Sequence, residues 1–202
     1  MLRIEAEIYP ERNIAVQSCV TSKPESSENT RFSMPLQILV DEHKLIKRWL
    51  ALIPDFVKNL ELTSANEYQM IENGIDLIRS YADRLHHGKE EDILFSYFDD
   101  TVNIFQVIYE DHQKARKLVQ EMLHALDDKN SRILAAKMLE YAVLLNEHID
   151  KEDTVLFPWL DSRLTEKEKT ELLIRFEQSD KGLGLNAQKY HSFIEKLEQH
   201  LN

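Results

Sequence analysis

A single cysteine, Cys19, stands among the 202 residues. That excludes an internal disulfide, a paired-cysteine zinc knuckle and a thiolate-held cluster, so any metal must be held by histidine and carboxylate. Glycine and proline are scarce too, at 4 and 5. These are too few for a sheet protein with many tight turns, and long helices are the expected architecture. No apolar run in the sequence approaches the ~18–20 residues that cross a bilayer, so no membrane partner is expected. Positive charge is in the minority: 25 Lys and Arg against 36 Asp and Glu give a net charge of −11, which repels polyphosphates and argues against nucleic acid as a partner. The opening Met1-Leu2-Arg3-Ile4-Glu5 carries charges where a secretory signal carries an apolar block, which makes a reducing, cytoplasmic setting the expectation.

The chain divides by periodicity into residues 1–32, 33–160 and 161–202. In the first part Leu2, Ile4, Ala6 and Ile8 alternate with polar residues, and Ile14, Val16, Ser18 and Val20 resume the alternation after Pro10. This predicts a β-hairpin. An isolated hairpin is only marginally stable in water, so it must lie on the rest of the molecule, pair with a second copy in a homodimer, or stay partly disordered. Residues 21–31 have the composition of a linker. From Ser33 the period lengthens to about 3.6. Helix one is expected from Ser33, with Pro35 in its first turn, to about Leu60. A second opens at the capping box of Ser64 and Glu67 and runs toward Phe98, and a third carries Ile104 to Met122. The fourth begins near Ser131 and is expected to stop or bend around Pro158. Thr165 and Glu168 form a second capping box opening a short helix, residues 181–184 form a break, and residues 186–201 form a last amphipathic helix. The fold class is all-α: an up-and-down four-helix bundle with extra C-terminal helices and a short N-terminal extension.

The informative feature is where the histidines fall on these stripes. His43 is flanked on its own face by Leu36, Leu39, Val40, Ile46 and Leu50; His86 continues the series Ile71, Ile75, Ile78, Ala82. His112 lies between Ile108 and Ala115, and His148 between Leu145 and Val155. Each long helix therefore buries one histidine, and if neighbours run antiparallel all four lie roughly 14–18 Å from one end of the bundle at about 1.5 Å per residue. Glu90 and Glu152 follow His86 and His148 by four residues, one turn nearer that end. One histidine on an apolar stripe is more often a hydrogen-bonded core residue than a ligand; four at one depth, with two glutamates that would be costly to bury without a cation, point to a metal pair. The same periodicity sets His87 outward with Asp83 and Arg84 behind it and Glu91 on that outer face; Arg116 is expected at the surface or paired with an acid such as Glu110 or Asp111. His124 is expected to be solvated, His200 is terminal, and His191 is expected to pack in the last helix.

The sequences around these residues, DEHKLIKRWL at His43, HHGKEEDILF at His86 and Glu90, YEDHQKARKL at His112 and EHIDKEDTVLFP at His148 and Glu152, resemble the hemerythrin-like superfamily, also called HHE cation-binding domains, over about Pro35 to Trp159. The resemblance implies a non-haem di-iron centre with an oxo or hydroxo group between two iron ions bridged by Glu90 and Glu152. One iron would take His43 and His86, the other His112 and His148. It departs from the oxygen-carrying members in one place: these have a second histidine four residues on in the third helix, where this chain has Arg116. Two histidines per iron resembles bacterial proteins that repair iron–sulfur centres or respond to nitric oxide, and domains that sense iron and oxygen. The repair proteins carry a cysteine-bearing N-terminal module, and this chain has only Cys19 ahead of the bundle.

Imidazole and carboxylate without thiolate suit iron, zinc or manganese, and open metal positions would admit dioxygen, nitric oxide or peroxide. The leading expectation is a protein that binds or senses such a molecule or iron status. The alternatives are a redox or iron-donating enzyme of stress defence and iron–sulfur repair, and a purely structural bundle. Because binding needs neutral imidazoles and ionised carboxylates, metal is expected to leave as pH falls through about 6.

Overall fold

The computed structural model describes residues 31–58, 60–99 and 103–201, so the hairpin expected before residue 21 lies outside the described residues. Among those described, every regular element is helical. α1 spans Met34–Val57. α2 (residues 65–97) begins as an α-helix, Ala65–Asp76, widens into π-helix over Leu77–His87 and Glu90–Leu94, and closes in a 3-10 turn, Phe95–Tyr97. α3 is Asn103–Asp127. α4 (residues 131–161) joins Ser131–Lys151, a π-turn at Glu152–Leu156, and Phe157–Asp161. α5 is Glu166–Leu183 and α6 is Ala187–Leu201.

Several ends follow from local chemistry. Ser64 with Glu67, and Thr165 with Glu168, form the two reciprocal caps read from the sequence, each satisfying backbone N–H groups that the helix leaves orphaned. The Ser33 hydroxyl does not cap α1; its backbone N–H and side chain both donate to Asp161, fastening the start of α1 to the end of α4. α4 does not stop at Pro158. The π-turn ahead of it closes through Phe157 N–H to the Glu152 carbonyl, and the proline then takes an early position in a fresh turn, where a missing N–H costs little. Helix α5 is 18 residues long rather than short, and it runs through Gly182 to end at Gly184, whose left-handed φ of 58° forms the cap.

The apolar core lies in two clusters. One gathers Leu36 and Leu39 of α1, Ile93 and Leu94 of α2, Phe105 and Ile108 of α3, and Leu156 and Phe157 of α4. The other gathers Trp49 and Ile53, Ile75 and Ile78, Val119 and Met122, and Leu134 and Met138. The first cluster takes the N-terminal parts of α1 and α3 with the C-terminal parts of α2 and α4, so successive helices run antiparallel, as an up-and-down bundle requires. Helix α5 adds Leu172 and Phe176 to the first cluster, and α6 adds Tyr190, Ile194 and Leu197 to the second. At Gly74 the helices approach so closely that a Cβ would lie 2.7 Å from the buried Trp49 ring.

Candidate metal centre

Between the two apolar clusters every long helix places a polar turn. His43, His86, His112 and His148 are at most 1% exposed, and Glu90 and Glu152 are fully buried. The structure brings all six together. The His43 and His86 rings lie 4.5 Å apart and those of His112 and His148 4.7 Å apart. Glu152 Oε2 is 3.2 Å from Nε2 of both His43 and His148, while the two oxygens of Glu90 lie 3.7 Å from His86 Nε2 and 3.6 Å from His112 Nε2. Each glutamate thus stands between histidines of two helices. The Nε2 atoms of His112 and His148 are 3.1 Å apart, close to the roughly 3.0 Å between two nitrogens bound at right angles to one ion at about 2.1 Å.

The outer nitrogens show a second order. His86 Nδ1 donates to Glu42 of α1 at 3.0 Å, His112 Nδ1 to Glu91 of α2 at 2.6 Å, and His43 Nδ1 to Asp153 of α4 at 2.7 Å. His148 Nδ1 faces Asp111 of α3 at 3.8 Å, without a hydrogen bond. Each helix therefore directs a carboxylate to the histidine of the next, and α4 returns to α1. Each carboxylate is held in turn by a cation: Glu42 by Lys89, Glu91 by Arg116 at 2.9 Å, Asp111 by Lys151, and Asp153 by Lys47 at 3.0 Å. An imidazole that donates Nδ1–H outward turns the Nε2 lone pair inward, the arrangement of metal-ligating histidines.

Inside the layer the donors lack partners. Nε2 of His43 and His86 and all four oxygens of Glu90 and Glu152 are buried without a hydrogen bond, although leaving such groups unsatisfied costs on the order of 1–3 kcal/mol each. Their charges conflict as well. Burial and the negative charge of Glu152 push the Glu90 carboxyl well above the usual range, whereas for Glu152 the pull of His148 and His43 overcomes burial and holds it well below. Burial and adjacent imidazoles keep His86 and His112 well below the usual histidine range. For His148 burial is outweighed by Glu152 and Asp111, which carry it up to about 9. Burial pushes Glu42 up to about 7 against the opposing charge of Lys89. A cation among these donors removes the conflict, since it favours the ionised glutamates and neutral imidazoles together. Two overlapping groups of donors could each hold a metal ion: one is His43, His86, Glu90 and Glu152, the other His87, Glu90, His112 and His148, and within each group the candidate ligand atoms all lie within 4.8 Å of one another.

Three sequence expectations are corrected here. His87 is not outward but 2% exposed and within the second group. The reason is the π-helix: with hydrogen bonds spanning five residues instead of four, each residue turns through a smaller angle, and His87 stays close behind His86. Glu91 is not a solvated acid but the half-buried partner of His112. Arg116 pairs with neither Glu110 nor Asp111; it bridges Asp83, with its guanidinium at 2.7 Å, and Glu91. His124 and His200 are exposed and His191 is half-buried, and none belongs to either donor group. The outer acids Glu42, Asp111 and Asp153 were not singled out by periodicity, although each lies beside a layer residue in the sequence, which is the signal that could have found them.

A cavity of about 500 Å³ lies among α2, α3 and α4, lined by Asp83, His87, Ala115, Arg116, Val119 and Tyr141 among others. It reaches the layer on the His87 side. No helix among the described residues is long and apolar enough to cross a membrane.

The family profile of the hemerythrin HHE cation-binding domain matches residues 34–160. The chain is also similar to uncharacterized proteins of Mycobacterium bovis and Mycobacterium tuberculosis, each 24% identical over 184 residues that cover 83% of this chain and 72% of the relative. No solved structure matches it.

Proposed function

This chain belongs to the hemerythrin HHE cation-binding family, and from that premise we propose that it holds two iron ions in the polar layer and through them binds or senses dioxygen, nitric oxide or peroxide. The proposed ligands are His43, His86, His112 and His148 with Glu90 and Glu152 shared between the ions. The observation that carries this reading is the set of buried, unpartnered oxygens of Glu90 and Glu152, facing imidazole nitrogens from all four helices of the bundle.

Bound iron would supply redox chemistry and open positions for a small ligand. The protein supplies the rest. Glu42, Glu91 and Asp153 fix the orientation of three imidazoles through their Nδ1–H groups, and Lys89, Arg116 and Lys47 hold those acids in place. The apolar clusters on either side exclude bulk water from the layer, which strengthens every electrostatic contact within it. The cavity beside His87 offers a small molecule an approach from the side of α2 and α3.

Quantifying iron in freshly purified protein, with optical spectra recorded anaerobically and after exposure to air, tests the proposal. About two irons per chain and charge-transfer bands that change on adding oxygen or nitric oxide are expected. Zinc alone, or no transition metal together with unchanged stability on chelation, would overturn it.

A further inference from the structure

The second donor group contains a nitrogen that helical periodicity places outside it. His87 stacks on His112 with ring centroids 3.8 Å apart and planes 19° from parallel, and meets the His148 ring edge-on at 5.5 Å. We propose that His87 is a third imidazole ligand to the cation held by His112 and His148, so that the second metal position carries three nitrogens and the first two. This rests on the two-cation reading above.

Two independent observations favour a ligand over a merely packed ring. The first is the cluster itself, where a candidate ligand nitrogen of His87 lies within 4.8 Å of those of His112, His148 and Glu90. The second is the outer construction. His43, His86 and His112 each turn Nδ1 to a carboxylate that a basic residue holds. His87 repeats that plan: its Nδ1 faces Asp83 Oδ1 at 3.4 Å, and Asp83 is gripped by Arg116. The one guanidinium therefore steadies the acids behind both His87 and His112. Nδ1 of His87 is buried but makes no hydrogen bond to Asp83, so the acid leaves the ring unsatisfied, and a turn out of its stack on His112 would let both lone pairs converge on one ion. With Nδ1 turned to the acid, Nε2 remains for the cation. An acid behind Nδ1 would also serve a packed histidine; what singles out His87 is that the acid and base behind it repeat the plan found behind the other imidazoles of the layer.

The test is titration of metal-free protein with zinc by calorimetry, together with the visible spectrum of the cobalt(II)-substituted form. His87→Ala and His87→Gln are compared with His148→Ala, and folding of each is checked by circular dichroism. Wild type is expected to take up two ions per chain. Loss of an outer-shell partner costs about 10–100-fold in metal affinity, and loss of a ligand at least the upper end of that range. Both His87 variants are therefore expected to weaken the second ion at least 100-fold, leave the first within about threefold, and alter the cobalt bands. If His148→Ala weakens the second ion while both His87 variants bind as wild type does with unchanged cobalt bands, the His87 assignment fails and the two-cation centre stands. If wild type takes up fewer than two ions, or His148→Ala changes nothing, both fail. The glutamine variant preserves polarity and approximate volume, so it answers the question even where alanine prevents folding.

Discussion

Asp153 of the fourth helix accepts a hydrogen bond from Nδ1 of His43 on the first at 2.7 Å, and this contact closes a circuit in which each long helix turns a carboxylate toward the histidine of its neighbour. The other links run from Glu42 to His86, from Glu91 to His112 and from Asp111 toward His148. The circuit ties the relative rotation of the four helices to the aim of their imidazoles.

Breaking one link should therefore loosen the metal without unfolding the bundle. Asp153→Asn is expected to lower metal affinity about 10–100-fold, the usual effect of losing an outer-shell carboxylate. Competition against a chromophoric chelator measures this, and unchanged affinity would show that the contact does not orient His43.

Substitution within the layer should act more strongly. Glu90→Ala and Glu152→Ala are each expected to cost at least one of two ions per chain, whereas His124→Ala, at an exposed position, should leave the metal content unchanged. Elemental analysis of the three variants decides it. Equal losses in all three would place the ions elsewhere.

Lys89 is fully buried and pairs with Glu42 on α1 and with Asp180 on α5, at 2.9 Å. Lys89→Met leaves Glu42 largely buried without its cation, and removing one partner of a buried pair costs about 3–5 kcal/mol. Chemical denaturation should show a loss of that order. Hydrogen exchange should show faster opening of α5, and a variant as stable as wild type would contradict it.

Gly74→Ala tests the contact with Trp49. A methyl group 2.7 Å from a fully buried indole forces displacement, and overpacking of this kind costs about 1–3 kcal/mol. A thermal melt unchanged or raised by the substitution would mean that the helices part freely at this point.

Acid should abolish the advantage of the α2 cap. Backbone N–H groups of Ser64 and Thr63, with the Ser64 hydroxyl, lower the Glu67 pKa from 4.5 to about 2. Because the folded value is the lower one, the stabilisation is fully present above about pH 4.5 and is lost as pH falls toward 2. The difference in melting temperature between wild type and Glu67→Ala should narrow progressively below pH 4.5. A constant difference from pH 7 to pH 3 would exclude an ionised cap.

Much of this was legible in the sequence because the α-helical period holds on α1, α3 and the first part of α4. There Leu36, Leu39 and Ile46 set the face of His43, and Ile108 and Ala115 that of His112. His86, Glu90 and Glu152 lie on the π-helical stretches and still enter the layer, but two expectations depart from the structure where the backbone leaves the α-helical period. His87 is expected outward because an α-helical turn is tighter than the π-helix that forms, and the stop or bend expected around Pro158 is instead a wide turn just ahead of it, which has no signature in hydrophobic spacing. The outer acids were missed for a different reason. Glu42, Asp111 and Asp153 stand beside stripe residues on their own helices and acquire their role only from a histidine on another helix, and such pairing cannot be read from one helix at a time. The hairpin expected in the first 20 residues lies outside the described residues.

The ionic layer also cuts the hydrophobic interior in two, with Leu36, Phe105 and Phe157 on one side and Trp49, Met122 and Met138 on the other. Oily contact is broken at mid-height of such a molecule, so its halves are coupled by the charged slab and by the four helices that cross it. By itself the slab leaves unpaired donors facing one another at that height, and an ion seated among them would act as the rivet between the two oily halves.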